Sequence, residues 1–79
     1  MNDHNVKKLQ EIFVTILELD QSEDVSKVER INAVRWDSLA QTSLIAAMES
    51  EFGLNLSIPD MERITSFAAA RLLLSEKGF

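Results

Sequence analysis

Apolar residues recur at helical spacing along most of this 79-residue chain and nowhere alternate with polar residues as in a β-strand. In the first such segment, one helix face collects Val6, Leu9, Ile12, Phe13, Ile16 and Leu17. The spacing predicts a helix over residues 5–19, with Asp3 or Asn5 as its capping residue. The chain is therefore expected to be all-α.

A second helix is predicted over residues 38–52. Its buried face is expected to contain Gln41, Leu44, Ile45, Met48 and Phe52. Gly53 suits the left-handed conformation that commonly follows the end of a helix. We expect the buried face to pack against Phe13 and Ile16 of the first helix and against the last helix.

Two further helices are predicted in the second half of the chain. Ser57, Pro59 and Asp60 form the usual start of a helix, which predicts a short helix over residues 58–64. Thr65 is predicted to cap the last helix, residues 66–77, whose apolar face holds Phe67, Ala70, Leu73 and Leu74. The chain is too short for a second core, so residues 1–79 are expected to form a single domain.

The segment between the first two helices is long, at about seventeen residues, and only weakly patterned. Val25, Val28, Ile31 and Val34 recur every third residue in it. This spacing suits either a short helical turn or a loop held against the core by apolar anchors. A connection of this length is unusual in a small domain unless it is functional.

Composition excludes most enzyme classes. Thirteen acidic and eight basic residues give a net charge of −5, which disfavours binding to nucleic acid or to an anionic membrane. The absence of Cys and the presence of a single His exclude a thiolate nucleophile and a Cys- or His-rich metal centre. Two glycines are too few for a phosphate-binding loop of the usual kinds. We therefore predict no catalytic residue and no metal site.

Signals for export or membrane insertion are not found in the sequence. Residues 1–5 lack the basic region and apolar core of a signal peptide. The apolar stretch 67–74 is interrupted by Arg71 and is far shorter than the roughly 20 residues of a membrane span. A cytoplasmic protein without membrane insertion is expected.

Ser38 has a distinctive position, directly after Asp37 at the predicted start of the second helix. Both residue types cap helices well, so local physics alone explains either of them as a cap. A hydrolytic role is disfavoured because the sequence places no base that would activate the hydroxyl.

The segment Trp36-Asp37-Ser38-Leu39, followed by a helix ending in Met48-Glu49-Ser50-Glu51-Phe52-Gly53, resembles the acyl carrier protein family. The Asp-Ser-Leu triplet is similar to the phosphopantetheine attachment motif of that family. Ile64-Thr65-Ser66-Phe67 resembles the family's junction between the short helix and the last helix. Together with the chain length, the acidity and the long first loop, the resemblance covers essentially the whole chain.

The resemblance implies an acyl-carrier-like four-helix bundle that is not an enzyme. It implies that 4′-phosphopantetheine from coenzyme A is attached to Ser38, flanked by Asp37 and Leu39, and that Asp37 assists the modifying transferase. The start of a helix tolerates the resulting phosphodiester anion. The implied function is to hold acyl intermediates as thioesters. The implied partners are a phosphopantetheinyl transferase and acyl-activating or acyl-transferring enzymes, and a monomer is expected.

Two alternatives remain open at this point. An aminoacyl or aryl carrier that serves an adenylating enzyme would share the same Asp-Ser-Leu core. A small helical interaction module without a prosthetic group would use Ser38 only as a cap. Loading of the protein from coenzyme A distinguishes the second alternative from a carrier.

The chain departs from the commoner family pattern in two places. Trp36 stands where a small residue is usual, and we interpret it as an anchor of the loop on the core rather than as a contact of the prosthetic group. The segment from Leu39 to Met48 carries no charge, so service to the general fatty-acid synthase is doubtful. We predict that partners bind an exposed, weakly polar strip beside Ser38 that contains Ala40, Ser43, Ala46, Glu49 and Ser50.

A pocket for the acyl chain is predicted between the second helix and the short third helix. The candidate lining residues are apolar and lie near the loop ends: Ala46, Leu56, Met61 and Ile64. The alternative is a solid core with the acyl group in solvent.

Overall fold

The structure, a computed structural model, describes all residues 1–79. Its elements follow the order α1 (Asp3–Leu17), 3-10 turns at Val25–Lys27 and Arg30–Asn32, α2 (Ser38–Phe52), α3 (Ile58–Glu62) and α4 (Phe67–Glu76). An isolated antiparallel bridge between Glu29 and Ser66 is the only strand-like pairing. The predicted all-α bundle is confirmed. None of the helices combines the length and apolar character needed to cross a bilayer.

Helix α1 begins and ends earlier than predicted. Asn2, rather than Asp3 or Asn5, is its cap, because the Asn2 side-chain oxygen accepts the backbone N–H of Asn5 at 2.8 Å. At the other end, Glu18 adopts a left-handed conformation with φ of 51°, which ends the helix after Leu17.

The boundaries of α2 agree with the prediction, and Gly53 follows it in the left-handed conformation with φ of 62°. Helix α3 starts as predicted, with Ser57 and Asp60 forming a capping box, but it ends at Glu62 rather than Ile64. The predicted Thr65 cap of α4 is wrong. Ser66 takes this role, since its hydroxyl accepts the N–H of Ala69 at 2.9 Å.

The buried core is entirely apolar and draws on every helix or its flanking loop. Leu44, Met48 and Phe52 are buried on α2 as predicted, whereas Gln41 and Ile45 are only half-buried. Leu9, Phe13 and Leu17 face them from α1, and Phe67, Ala70, Leu73 and Leu74 close the core from α4. Ile16 packs at the edge of this core.

The first loop is held against the core by fewer anchors than predicted. Val28 is buried, and the chain beside it is fixed because the N–H of Phe67 donates to Val28 O at 3.0 Å. Trp36 is only 4% exposed and supplies the next large anchor. Ile31 and Val34 lie between these two points and are 94% and 100% exposed, so their predicted role as anchors is wrong.

Candidate functional site

Ser38 is the first residue of α2 and its side chain is exposed. The preceding residue, Asp37, is extended, and its carboxylate accepts the N–H of Ala40 at 2.8 Å. Asp37 is therefore the cap of the helix. Ser38 is hydrogen-bonded only through its backbone carbonyl, which the Thr42 hydroxyl reaches at 3.1 Å. The Ser38 hydroxyl is thus free for another role.

The backbone at the start of α2 carries unused hydrogen-bond donors. The Asp37 carboxylate accepts the N–H of Ala40, and the backbone N–H of Gln41 donates to Asp37 O at 2.9 Å. The N–H groups of Ser38 and Leu39, in contrast, have no acceptor in the protein. They stand at the positive end of a helix of 15 residues. An anion attached to the Ser38 hydroxyl would lie at this end of the helix dipole.

Trp36 anchors the segment of the first loop that leads into Ser38. Its indole N–H donates to Gln41 Oε1 at 2.6 Å, and its ring is buried in the core. The interpretation of Trp36 as a loop anchor is confirmed. Gln41 in turn donates through Nε2 to the carbonyls of Met61 at 3.2 Å and Ile64 at 3.1 Å. The hydroxyl of Ser38 therefore projects from a segment tied to both the core and the end of α3.

The strip predicted to bind partners is only partly at the surface. Ala40 is buried, with 7% of its surface exposed, so it cannot present a contact surface as predicted. Ser43 is half-buried, while Ala46 and Ser50 are exposed. The Glu49 carboxylate accepts the N–H of Leu56 at 2.8 Å. This hydrogen bond holds the loop after α2 against the helix, so one oxygen of Glu49 already has a partner within the protein.

Large apolar side chains lie exposed near the site, and two of them, Ile31 and Val34, were expected from the sequence to anchor the loop on the core. Val34 and Leu39 line one shallow groove together with Ile16 of α1. Leu39 is 76% exposed, and Ile31 and Val34 are more exposed still. The sequence contained a signal for the exposure of Val34. Trp36, two residues later, is the stronger candidate for burial, and only one of the two side chains needed to reach the core.

The candidate residues of the acyl pocket do not share one environment. Leu56 and Ile64 are buried in the main core, Met61 packs against it, and Ala46 is exposed. Ala46 therefore cannot line an interior pocket in this structure. Leu44 of α2 and Ile64, two residues after α3, are both fully buried.

Comparison with known proteins decides the family. Residues 7–70 match the family model described as the phosphopantetheine attachment site. The acyl carrier protein of Petrotoga mobilis is 37% identical over 78 residues, which span 95% of this chain and 88% of the relative. This chain belongs to the acyl carrier protein family. The acyl carrier protein of Solidesulfovibrio magneticus is 34% identical over 71 residues, 90% of this chain and 91% of the relative.

Membership of the acyl carrier protein family makes this protein a carrier and not an enzyme, with 4′-phosphopantetheine as its prosthetic group. It favours the carrier over the interaction module without a prosthetic group. The residues at the start of α2 fit the group, because they combine an exposed hydroxyl with unused N–H donors.

Proposed function

We propose that Ser38 carries the 4′-phosphopantetheine arm, and that the protein holds acyl intermediates on it as thioesters and presents them to acyl-activating or acyl-transferring enzymes. The observation that supports this most is the free, exposed hydroxyl of Ser38 at the positive end of α2. When attached, the prosthetic group supplies the thiol that this Cys-free chain lacks.

Loading requires that Ser38 be reached by a transferase. The Ser38 hydroxyl attacks the β-phosphorus of coenzyme A, the phosphoanhydride bond breaks, and adenosine 3′,5′-bisphosphate leaves. The hydroxyl proton passes to a base of the transferase. Asp37 is held by its bond to the Ala40 N–H at one oxygen, which leaves the second carboxylate oxygen to assist the transferase.

Partner enzymes are proposed to bind around Ser38 through residues that carry no charge of their own. These candidate residues are Leu39, Ser43, Ala46 and Ser50 on α2, with Ile31 and Val34 on the first loop. Such a surface favours close apolar contact over long-range electrostatic steering. A specialised biosynthetic pathway is therefore a better match than the general fatty-acid synthase. A cytoplasmic location is part of the proposal, since a reducing compartment keeps the thiol free.

The test is enzymatic loading followed by intact mass measurement. The unmodified protein is incubated with coenzyme A and a promiscuous phosphopantetheinyl transferase. We expect the mass to rise by one phosphopantetheine, and we expect no rise for Ser38→Ala. Ser75→Ala is the matched control, because Ser75 is an exposed serine of α4, outside the proposed partner surface, and its replacement should leave loading unchanged. Loading of Ser38→Ala to the level of the parent would overturn the assignment.

A further inference from the structure

The side-chain amide of Gln41 uses its oxygen and its nitrogen to join three parts of the chain. Its oxygen accepts the Trp36 indole N–H at 2.6 Å, and its nitrogen donates to Met61 O and Ile64 O at 3.2 and 3.1 Å. Because an indole N–H only donates and a carbonyl only accepts, these partners fix the orientation of the amide. Trp36, α2 and the end of α3 are thereby tied together.

This amide lies where an acyl chain would have to enter the bundle. Gln41 is one helical turn after Ser38, and its two carbonyl partners lie in the last turn of α3 and just after it, on the opposite wall of the predicted pocket. Behind it, Leu44 and Ile64 are fully buried. Entry between α2 and α3 would separate the amide from Met61 O and Ile64 O and leave polar groups in a half-buried site without partners.

We propose that Gln41 is a positioning residue that holds α2 and α3 together, so that an acyl group attached through Ser38 stays outside the helical bundle whatever its length. The proposal rests on the proposed function, since it concerns the acyl group that the arm carries. Trp36 contributes by fixing the Gln41 oxygen, and its own position is fixed by burial in the core. The acyl group then remains accessible to partner enzymes without a conformational change of the carrier.

The main experiment compares the carrier loaded with acetyl and with octanoyl groups. Intact mass verifies each form, and backbone amide chemical shifts are then measured. Shift differences between the two forms are expected to be confined to residues around Ser38. The melting temperature is expected to be the same for both. Differences at Leu44, Leu56 and Ile64, or a melting temperature that rises with chain length, would overturn the proposal.

The variant Gln41→Met removes the hydrogen bonds while keeping the volume of the side chain. In this variant the octanoyl group is expected to change the backbone amide chemical shifts of Leu56 and Ile64. It is also expected to raise the melting temperature by several degrees relative to the acetyl form. Gln10→Met is the matched control, because it makes the same exchange on α1, away from α3. A Gln41→Met variant that shows no dependence on chain length would contradict the role of Gln41.

A measurement on the parent protein needs neither loading nor a folded variant. The side-chain amide hydrogens of Gln41 should exchange with solvent much more slowly than those of the exposed Gln21. They should stay protected in the acetyl and octanoyl forms. Equal exchange at both glutamines in the unmodified protein would overturn the proposal, whereas a failure to load Ser38 would count against the proposed function alone.

Discussion

The ring of Trp36 meets the ring of Phe13 edge-on, with centroids 5.4 Å apart and an angle of 83° between the planes. Phe13 meets Phe67 in the same manner at 5.2 Å. Three aromatic rings thus connect the end of the first loop to α1 and α4. Such edge-to-face pairs add to the stabilisation that burial provides. The position of Ser38, two residues after Trp36, is therefore coupled to the packing of the whole core.

Trp36→Ala is expected to lower the free energy of unfolding by about 3–5 kcal/mol, because it removes a buried ring and its contact with Phe13. This is a large share of the stability of a small domain. Urea unfolding followed by far-ultraviolet circular dichroism measures the change, since the variant has no Trp or Tyr for fluorescence. The exposed Leu39→Ala is the control and should change the free energy by less than about 0.5 kcal/mol. Equal losses in both variants would contradict the structure.

Asp37→Ala is expected to lower the free energy of unfolding by about 1 kcal/mol, because its carboxylate caps α2 through the Ala40 N–H. Ser38→Ala keeps that cap and should cost less. Urea unfolding of the two variants under the same conditions gives the comparison. A greater loss for Ser38→Ala than for Asp37→Ala would show that Ser38, and not Asp37, caps the helix.

Acid should weaken the contact between α3 and α4. A hydrogen bond from Lys77, at 2.9 Å, lowers the pKa of Asp60 below its ordinary value of 3.8, and the N–H of Ser57 lowers it further. The paired hydrogen bonds from Arg63, at 2.8 and 2.9 Å, lower the pKa of Glu76 below 4.5. A lowered pKa means that these carboxyl groups bind protons more weakly in the folded state than in the unfolded state.

The stabilisation from Asp60 and Glu76 is therefore present above the ordinary values and is lost as the pH falls below them. Melting temperatures measured from about pH 6 down to about pH 3 should decline in this range. Glu76→Gln should show a shallower decline than the parent, and Glu62→Gln, an exposed residue of α3, serves as the control. An identical pH dependence of Glu76→Gln and the parent would exclude this contribution.

Local signals predicted the elements, and errors at the starts of helices arise where neighbouring residues could each serve as the cap. Helix α2 was bounded correctly because an acidic cap at Asp37 and a glycine at Gly53 are strong signals at its two ends. The start of α1 was misplaced because Asn2, Asp3 and Asn5 are all competent caps. Local preference does not choose among neighbouring residues of similar capping strength.

The errors at the site have a different cause. Ile31 and Val34 share the spacing of Val28, but the core has room for only some of these side chains, and Trp36 fills the next place. The role of Gln41 was not visible in the sequence because two of its three hydrogen-bond partners are backbone carbonyls that lie 20 and 23 residues further along the chain. Carbonyl acceptors exist at every residue, so they leave no compositional trace.

Acidic substitutions on the exposed face of α2 should change the choice of partner. The α2 residues Leu39, Ser43 and Ala46 carry no charge and by themselves provide little electrostatic steering toward a basic docking site. Screening limits the contribution of more distant acids, because charges interact within about 8 Å at physiological salt. Slow elongation of the loaded carrier by enzymes of the general fatty-acid synthase is therefore expected.

Ser43→Glu combined with Ala46→Glu should raise the rate of that elongation and make it more sensitive to salt, because the new charges lie beside the attachment site and accelerate encounter with a basic surface. The buried Ala40 is not a suitable position for such a charge. Ala68→Glu combined with Ser75→Glu adds the same charge on α4 and should leave the rate unchanged. Initial rates at low and high salt make the comparison. If the unaltered carrier is elongated as fast as the carrier native to those enzymes at equal concentration, charge on α2 does not govern the choice of partner.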